Sequence, residues 1–208
     1  MKYAICDDMK RFRDTLRGKI ELYSTKDGQI PEIEEYSSGE ELLEVFAPDK
    51  YDAIFLDYEM KELNGLQTAQ EIRRADKNVQ IIFHTGYNSL DTTGYDLGIY
   101  VFIVKGSSDD IYSRKLSEIY DRCKLGNEVF SSDKMNIKVK HIIYFHQRLF
   151  KTIMVTDSGE VEIKGKISNI DIPKFVRASK SYLINPLHII VDMKQVVILD
   201  NKQEIQIK

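Results

Sequence analysis

Ala53-Ile54-Phe55-Leu56-Asp57 is a four-residue apolar run that stops on a carboxylate. A short, continuous apolar run bounded by polar residues reads as a strand buried on both faces, the kind found in parallel sheets. The same arrangement recurs on either side of it. Lys2-Tyr3-Ala4-Ile5-Cys6 runs into Asp7-Asp8, Val79 to Phe83 into His84-Thr85-Gly86, and Ile99 to Val104 into Lys105. In a parallel α/β sheet the strand C-termini share one edge, where ligands bind. The four stops therefore converge. They bring together an acidic cluster, a hydroxyl and an ammonium, which suits a hard cation and a phosphoryl group.

Helical periodicity fills the intervals. Phe12, Leu16, Ile20 and Tyr23 recur at helical spacing, and a weak strand follows at Ile33 to Tyr36. Ser38 three residues before Glu41 is a capping-box pattern, with Leu42, Leu43 and Phe46 as the apolar stripe. Asn64 caps a helix carrying Leu66, Ala69 and Ile72. Residues 90–97 read as a short helix, and Ser108 caps a last one with Ile111, Leu116, Ile119 and Tyr120. Five strands alternating with helices predict a flavodoxin-like, doubly wound five-stranded parallel sheet of order 2-1-3-4-5 over residues 1–124.

From about residue 127 the pattern changes to short β-branched runs. These are Ile137-Val139, Ile142-Phe145, Thr152-Val155, Val161-Ile163, Ile189-Val191, Val196-Leu199 and Ile205-Ile207, punctuated by turn residues such as Asp157-Ser158-Gly159 and Asn185-Pro186. They predict a small, mostly antiparallel β domain over 129–208, joined by a short linker near 124–128. Charge divides at the same place. Residues 1–125 hold 17 Lys/Arg against 24 Asp/Glu (net −7), and residues 126–208 hold 13 against 9 (net +4). The split suggests two domains with different partners, and a mildly basic face is compatible with nucleic acid. No apolar run approaches the ~20 residues that span a bilayer, and there is no leader pattern, so a cytoplasmic protein without a membrane partner is expected. Cys6 and Cys123, isolated from each other and from His pairs, make neither a disulfide framework nor a zinc site.

The chemistry of the acidic cluster follows from its residue types. Mg²⁺ prefers oxygen ligands, which Asp57 and Asp7 or Asp8 supply, with the Glu59 carbonyl as a further candidate. Carboxylates form acyl phosphates, so Asp57 is the candidate nucleophile. Lys105 is placed to pair with one phosphoryl oxygen and the Thr85 hydroxyl to bond another, while Gly86 leaves room beside the backbone. Taken singly, each has a plainer reading: Asp pairs and Thr as turn formers, Lys105 as a surface charge. A phosphatase with Glu59 as a second acid would carry its nucleophile after the first strand, whereas Asp57 follows the third.

These residues resemble the receiver domain of two-component response regulators over roughly 1–122. The anchors are Ile5-Cys6-Asp7-Asp8, Phe55-Leu56-Asp57 with Asn64-Gly65-Leu66, Thr85-Gly86-Tyr87, and Gly98 through Phe102 to Lys105. The resemblance implies that Asp57 accepts phosphate from a sensor histidine kinase, with Mg²⁺ held by Asp8, Asp57 and Asp7. It implies that Thr85 and Phe102 form a switch pair, although Phe102 also reads as a packed core aromatic. Self-phosphotransfer and autodephosphorylation are then the only chemistry expected, not enzymatic turnover. The family usually has Pro after the lysine. Gly106 stands there, so a trans bond is expected, with Gly106 absorbing unusual dihedrals.

The C-terminal part resembles a LytTR-type DNA-binding domain. The matching stretches are Ile143-Tyr144-Phe145, Ile153 to Gly159, and above all Phe175-Val176-Arg177-Ala178-Ser179-Lys180-Ser181-Tyr182-Leu183-Ile184-Asn185. The resemblance makes Asn185 the first candidate for a DNA contact, since asparagine pairs bidentately with adenine; its plainer reading is a turn former before Pro186. His146, Gln147, Arg148 and Lys151 surround a predicted loop and, like Arg177 and Lys180, are candidates for phosphates. The sequence departs from the pattern in three ways. Ser179 stands for the usual His, the stretch from Ile163 to Phe175 is shorter than a helix-bearing connection, and 129–208 reads as shortened near Lys208. The resulting expectation is a phosphorylation-controlled regulator that dimerises on repeated double-stranded DNA sites. The alternative is a receiver coupled to a β module for protein interaction.

Overall fold

The computed structural model describes residues 1–23, 30–86, 101–193 and 196–206. The chain divides into two compact units, 1–123 and 124–208.

In the first unit the elements run β1 (Lys2–Cys6), α1 (Lys10–Tyr23), β2 (Glu32–Tyr36), α2 (Gly39–Val45), β3 (Ala53–Leu56), α3 (Gly65–Ala75), β4 (Gln80–Thr85), β5 (Val101–Val104) and most of α4 (Asp109–Asn127), whose last residues belong to the second unit. The strands are all parallel in the order β2-β1-β3-β4-β5, as the spacing predicts. Strand side chains alternate between two faces. Ala4, Cys6, Ile54, Leu56 and Phe83 meet Leu42 of α2 and Ala69 and Ile72 of α3. Tyr3, Ile5, Ala53, Phe55 and Ile82 meet Leu16 and Ile20 of α1 and Tyr112, Leu116 and Ile119 of α4. Burial on both faces explains why these strands read as unbroken apolar runs rather than alternating ones. Cys6 and Cys123 are both buried; Cys6 Sγ lies 3.6 Å from Met60 Sδ, and Cys123 Sγ donates to the Asp52 carbonyl at 3.4 Å.

Local signals set the helix starts. Asn64 and Gln67 form a full capping box at α3. At α2, Ser38 accepts from the Glu41 amide, but the Glu41 carboxylate returns to Ser37 instead of Ser38. Tyr112 takes the inner face of α4, where Ile111 was expected; Ile111 is half-buried. The segment read as a linker is helical as far as Asn127. The helix expected over 90–97, with Tyr87 and Gly98, lies outside the described residues.

The second unit is antiparallel. Its strands are β6 (Val129–Ser131), β7 (Asn136–Lys138), β8 (Ile142–Arg148), β9 (Lys151–Thr156), β10 (Gly159–Ile163), β11 (Val176–Ser179), β12 (Tyr182–Ile184), β13 (Ile189–Met193), β14 (Val196–Leu199) and β15 (Glu204–Gln206). They form a five-stranded sheet β10-β9-β8-β12-β11, a three-stranded sheet β13-β14-β15 and the hairpin β6-β7. One face of the larger sheet, with Phe145, Met154 and Leu183, packs with Val139, Ile167 and Ile172. The other, with Tyr144, Ile153 and Ile184, packs on Val197, Leu199 and Ile205 of the smaller sheet. A register shift between Ile142 and Tyr144 sends Ile143 and Tyr144 to the same face. The short stretch before Phe175 holds only a 3₁₀ turn at Ile167–Asn169.

Candidate phosphoryl-acceptor site and nucleic-acid interface

The ends of β1, β3, β4 and β5 meet at one edge of the parallel sheet. The Asp57 amide donates to the Cys6 carbonyl at 2.8 Å, fixing the two acidic strand ends side by side. The loop after Asp57 folds back so closely that a Cβ on Gly65 would lie 2.1 Å from the Asp57 carbonyl oxygen. Only glycine fits there, and the Gly65 amide closes the loop on the Tyr58 carbonyl at 3.0 Å. Across the edge, the Lys105 amide donates to the Thr85 carbonyl at 2.7 Å.

These constraints gather Asp7, Asp8 and Asp57 so that one carboxylate oxygen of each lies within 4.8 Å of the others. Asp7 and Asp57 are buried and Asp8 half-buried. Lys105 Nζ lies 2.7 Å from Asp7 Oδ2 and 2.7 Å from Asp57 Oδ2. The Asp7 contact is an ion pair without hydrogen-bond alignment, so Asp7 Oδ2 keeps an unspent, buried acceptor. The Asp57 carboxyl is pushed above the usual carboxylate range, first by burial and also by the Asp7 charge. The Lys105 bond and the Glu59 backbone N–H oppose that push. Three oxygen donors around an unspent acceptor fit a hard divalent cation. Glu59, Thr85 and Gly86 line the same cavity as Asp8, Asp57 and Lys105. Thr85 is buried, and the space around the Gly86 Cα is open. Phe102 is half-buried against the first core face, with Lys115 Nζ 5.1 Å from its ring centre. Two neighbours were not singled out from sequence. Phe12 of α1 faces the lysine, and His84 is buried against the Tyr112 hydroxyl at 2.9 Å, its pKa lowered to about 3 mainly by burial.

In the second unit the candidates separate. Arg148 and Lys151 close the β8–β9 hairpin, exposed, and pair with Glu160 at 3.2 Å and Glu162 at 2.8 Å. Between them stands a two-residue turn of Leu149 and Phe150, with φ of 50° and 62° and 83% and 99% exposure. Neither residue carries a local turn signal in the sequence. Gln147 is half-buried on β8, and its amide donates to the Ser181 carbonyl, which brings exposed Lys180 to the same end of the sheet. Arg177 is exposed and donates to the Ile167 carbonyl.

Two candidates are corrected. Asn185 is fully buried, not presented to DNA. Its amide nitrogen donates to the carbonyls of Val139 and Ile142 at 2.9 and 2.7 Å, and its oxygen accepts from the Leu187 amide. It is consumed in tying the 3₁₀ turn at Val139–His141 to the one at Pro186–His188. His146 is 8% exposed, flanked by the rings of Tyr144 and Tyr182, so it does not reach outward.

A 2-1-3-4-5 parallel sheet with three carboxylates, a lysine and a threonine at its carboxyl edge defines an α/β domain of the receiver class. Residues 4–115 match the family model of the response regulator receiver domain, and residues 132–207 that of the LytTr DNA-binding domain. The chain belongs to the response regulator family and carries a LytTR module. It is 26% identical over 148 residues to the transcriptional regulatory protein NatR of Bacillus subtilis, covering 64% of this chain and 62% of that one. It is 22% identical over 212 residues to the transcriptional regulatory protein LytR of Staphylococcus aureus, covering 91% and 85%. The matches span 62% and 54% of NatR and of the Staphylococcus epidermidis sensory transduction protein LytR. Among solved structures, a CheY-like receiver domain protein from Methanospirillum hungatei superposes with a TM-score of 0.51 at 19% identity, covering 59% of this chain and 95% of that one. That likeness shows the fold. Among the described residues, no helix is long and apolar enough to cross a membrane. The architecture is that of a regulator.

Proposed function

We propose that the chain is a cytoplasmic two-component response regulator in which Asp57 accepts a phosphoryl group from a sensor histidine kinase and thereby controls DNA binding. The observation that carries this reading is the buried Asp57 carboxylate, held beside Asp7, Asp8 and Lys105 at the open edge of the sheet. An Asp57 oxygen attacks phosphorus, the P–N bond of the donor phosphohistidine breaks with its electron pair going to the ring nitrogen, and that nitrogen takes a proton from solvent as the imidazole leaves. A Mg²⁺ ion held by Asp7, Asp8, Asp57 and the Glu59 carbonyl would supply neutralising charge for the phosphoryl oxygens. Lys105 then pairs with one oxygen, the Thr85 hydroxyl turns to another, and Phe102 follows inward. The new charge biases a two-state surface that self-associates. DNA is met by the turn end of the larger β sheet, where Arg148, Lys151 and Lys180 gather.

Two measurements test this. Labelling by acetyl phosphate is expected to vanish in Asp57→Asn with the fold retained; unchanged labelling sinks the acceptor assignment. Selection from a randomised duplex pool across a salt series, with and without beryllofluoride, is expected to enrich a repeated motif more strongly in the loaded state. No enrichment in either state favours a second reading, a β module that docks on protein. One observation supports that reading: Arg148 and Lys151 are already paired with Glu160 and Glu162, which leaves an apolar tip inside a neutral collar.

A further inference from the structure

We infer that Phe12 is a positioning residue for Lys105, its ring holding the ammonium beside Asp57 when Asp7 is engaged elsewhere. The inference rests on the reading of Asp57 as the phosphoryl acceptor. Lys105 Nζ sits 4.1 Å from the centre of the Phe12 ring while it touches Asp7 and Asp57. Its side chain is 9% exposed, so the contact is largely desolvated, where a cation over an aromatic face is held most strongly. The ring comes from the first turn of α1, and the Asp7 Oδ1 bond to the Met9 amide fixes the entry to that helix at 2.9 Å. Phe12 also lines the acceptor cavity.

The lysine needs such a support because its own backbone gives little. Gly106 follows it with φ of +80°, a conformation open to glycine at no steric cost, and a Cβ there would meet nothing within 4 Å. The Lys105 amide is tied to Thr85, but the long side chain beyond it is steered only by what it touches. The ammonium nitrogen lies against three surfaces: the Asp7 carboxylate, the Asp57 carboxylate and the Phe12 ring. A cation held by Asp7 and Asp57 would compete with the lysine for both carboxylates. The ring carries no formal charge for that cation to claim, so it remains available to the ammonium in either state. It keeps Lys105 from swinging into solvent and leaves it within reach of an oxygen arriving on Asp57.

The experiment compares Phe12→Leu with a series in which Phe12 is replaced by mono-, di- and trifluorophenylalanine. Fluorination keeps the ring's shape and weakens the negative potential of its face, so the series remains informative even if Phe12→Leu folds poorly. Two readouts are taken. In metal-free protein, the ε-methylene protons of Lys105 are expected to show an upfield ring-current shift that Phe12→Leu abolishes. With Mg²⁺ and phosphoramidate, the loading rate is expected to fall roughly five- to tenfold in Phe12→Leu and stepwise along the fluorinated series. Equal rates throughout, or a fall in Phe12→Leu with no trend on fluorination, overturn the inference, because the ring then only fills space. Asp57→Asn run in parallel separates the two levels. Its loss of loading upholds the acceptor reading whatever Phe12 does, and its continued loading removes that reading first.

Discussion

The carboxyl edge of the parallel sheet and the turn end of the antiparallel sheet treat charge and hydrophobicity in opposite ways. At the first, three carboxylates are drawn together and largely buried, and Lys105 offsets them from inside. At the second, Leu149 and Phe150 stand in solvent on left-handed backbone, ringed by exposed ion pairs that contribute little each. A type I′ two-residue hairpin loop demands positive φ at both positions, which Asn-Gly meets easily and Leu-Phe does not. The buried charge is balanced within the fold. The strain and exposure of the tip are not offset by any burial of those side chains. The first site is thus organised within its own unit, and the tip of the second keeps its apolar side chains in solvent.

The largest expected effect tests which polar residues of the second unit belong to its interior. Asn185→Ala leaves two carbonyls and an amide without their partner, and a loss of about 3 kcal/mol is expected in urea unfolding. A variant as stable as wild type would falsify the interior role and restore Asn185 as a free reader. Next, Gly65→Ala sets a methyl against the Asp57 backbone, and about 2 kcal/mol of destabilisation is expected from the same assay. If the variant loses nothing, the acceptor loop is looser than its contacts imply.

The tip gives a change of opposite sign. Leu149→Asn with Phe150→Gly is expected to raise stability by about 1–2 kcal/mol while weakening whatever the tip binds. Thermal melts and duplex-binding titrations on one preparation check both halves, and a variant that gains neither stability nor a binding defect removes the contrast between the two sites. The smallest effect concerns pH. Asp57 is held above its ordinary range, chiefly by burial, so folding favours its protonated form. Stability falls as pH rises from the unfolded value through the folded one, and the cost is fully present above it. Metal-free Asp57→Asn is therefore expected to exceed wild type in stability at pH 7, the gap closing on acidification. A gap that holds constant as the pH is lowered contradicts the raised carboxyl.

The first site was legible because each of its residues is the stop of an apolar run, and a parallel sheet brings such stops together whatever lies between them. Asn64, Gly65 and the capping box are equally local signals. What sequence did not give there is long-range: Phe12 meets Lys105 only because α1 packs beside β5, and Tyr112 replaces Ile111 through the rotation of α4. In the second unit, β11 and β12 were missed as strands because Val176-Arg177-Ala178-Ser179 and Tyr182-Leu183-Ile184 are short and carry weak alternation. The Leu149-Phe150 turn was hidden for a related reason, since it lacks the glycine or asparagine that announces a tight hairpin. Asn185 before Pro186 looked like an ordinary turn former, and nothing local revealed that two distant carbonyls converge on it.

Cys6 sits one residue before Asp7, sealed under the acidic edge against Met60. Burial first, and then the Asp7 charge, push its thiol far above the range in which thiolate forms at neutral pH. Oxidants and alkylating reagents act on the thiolate. The native protein is therefore expected to show no labelling of Cys6 by iodoacetamide until it unfolds. The same edge carries Met9, 41% exposed, and Met60 in its cavity, so a peroxide burst is expected to act on those thioethers while Cys6 stays reduced.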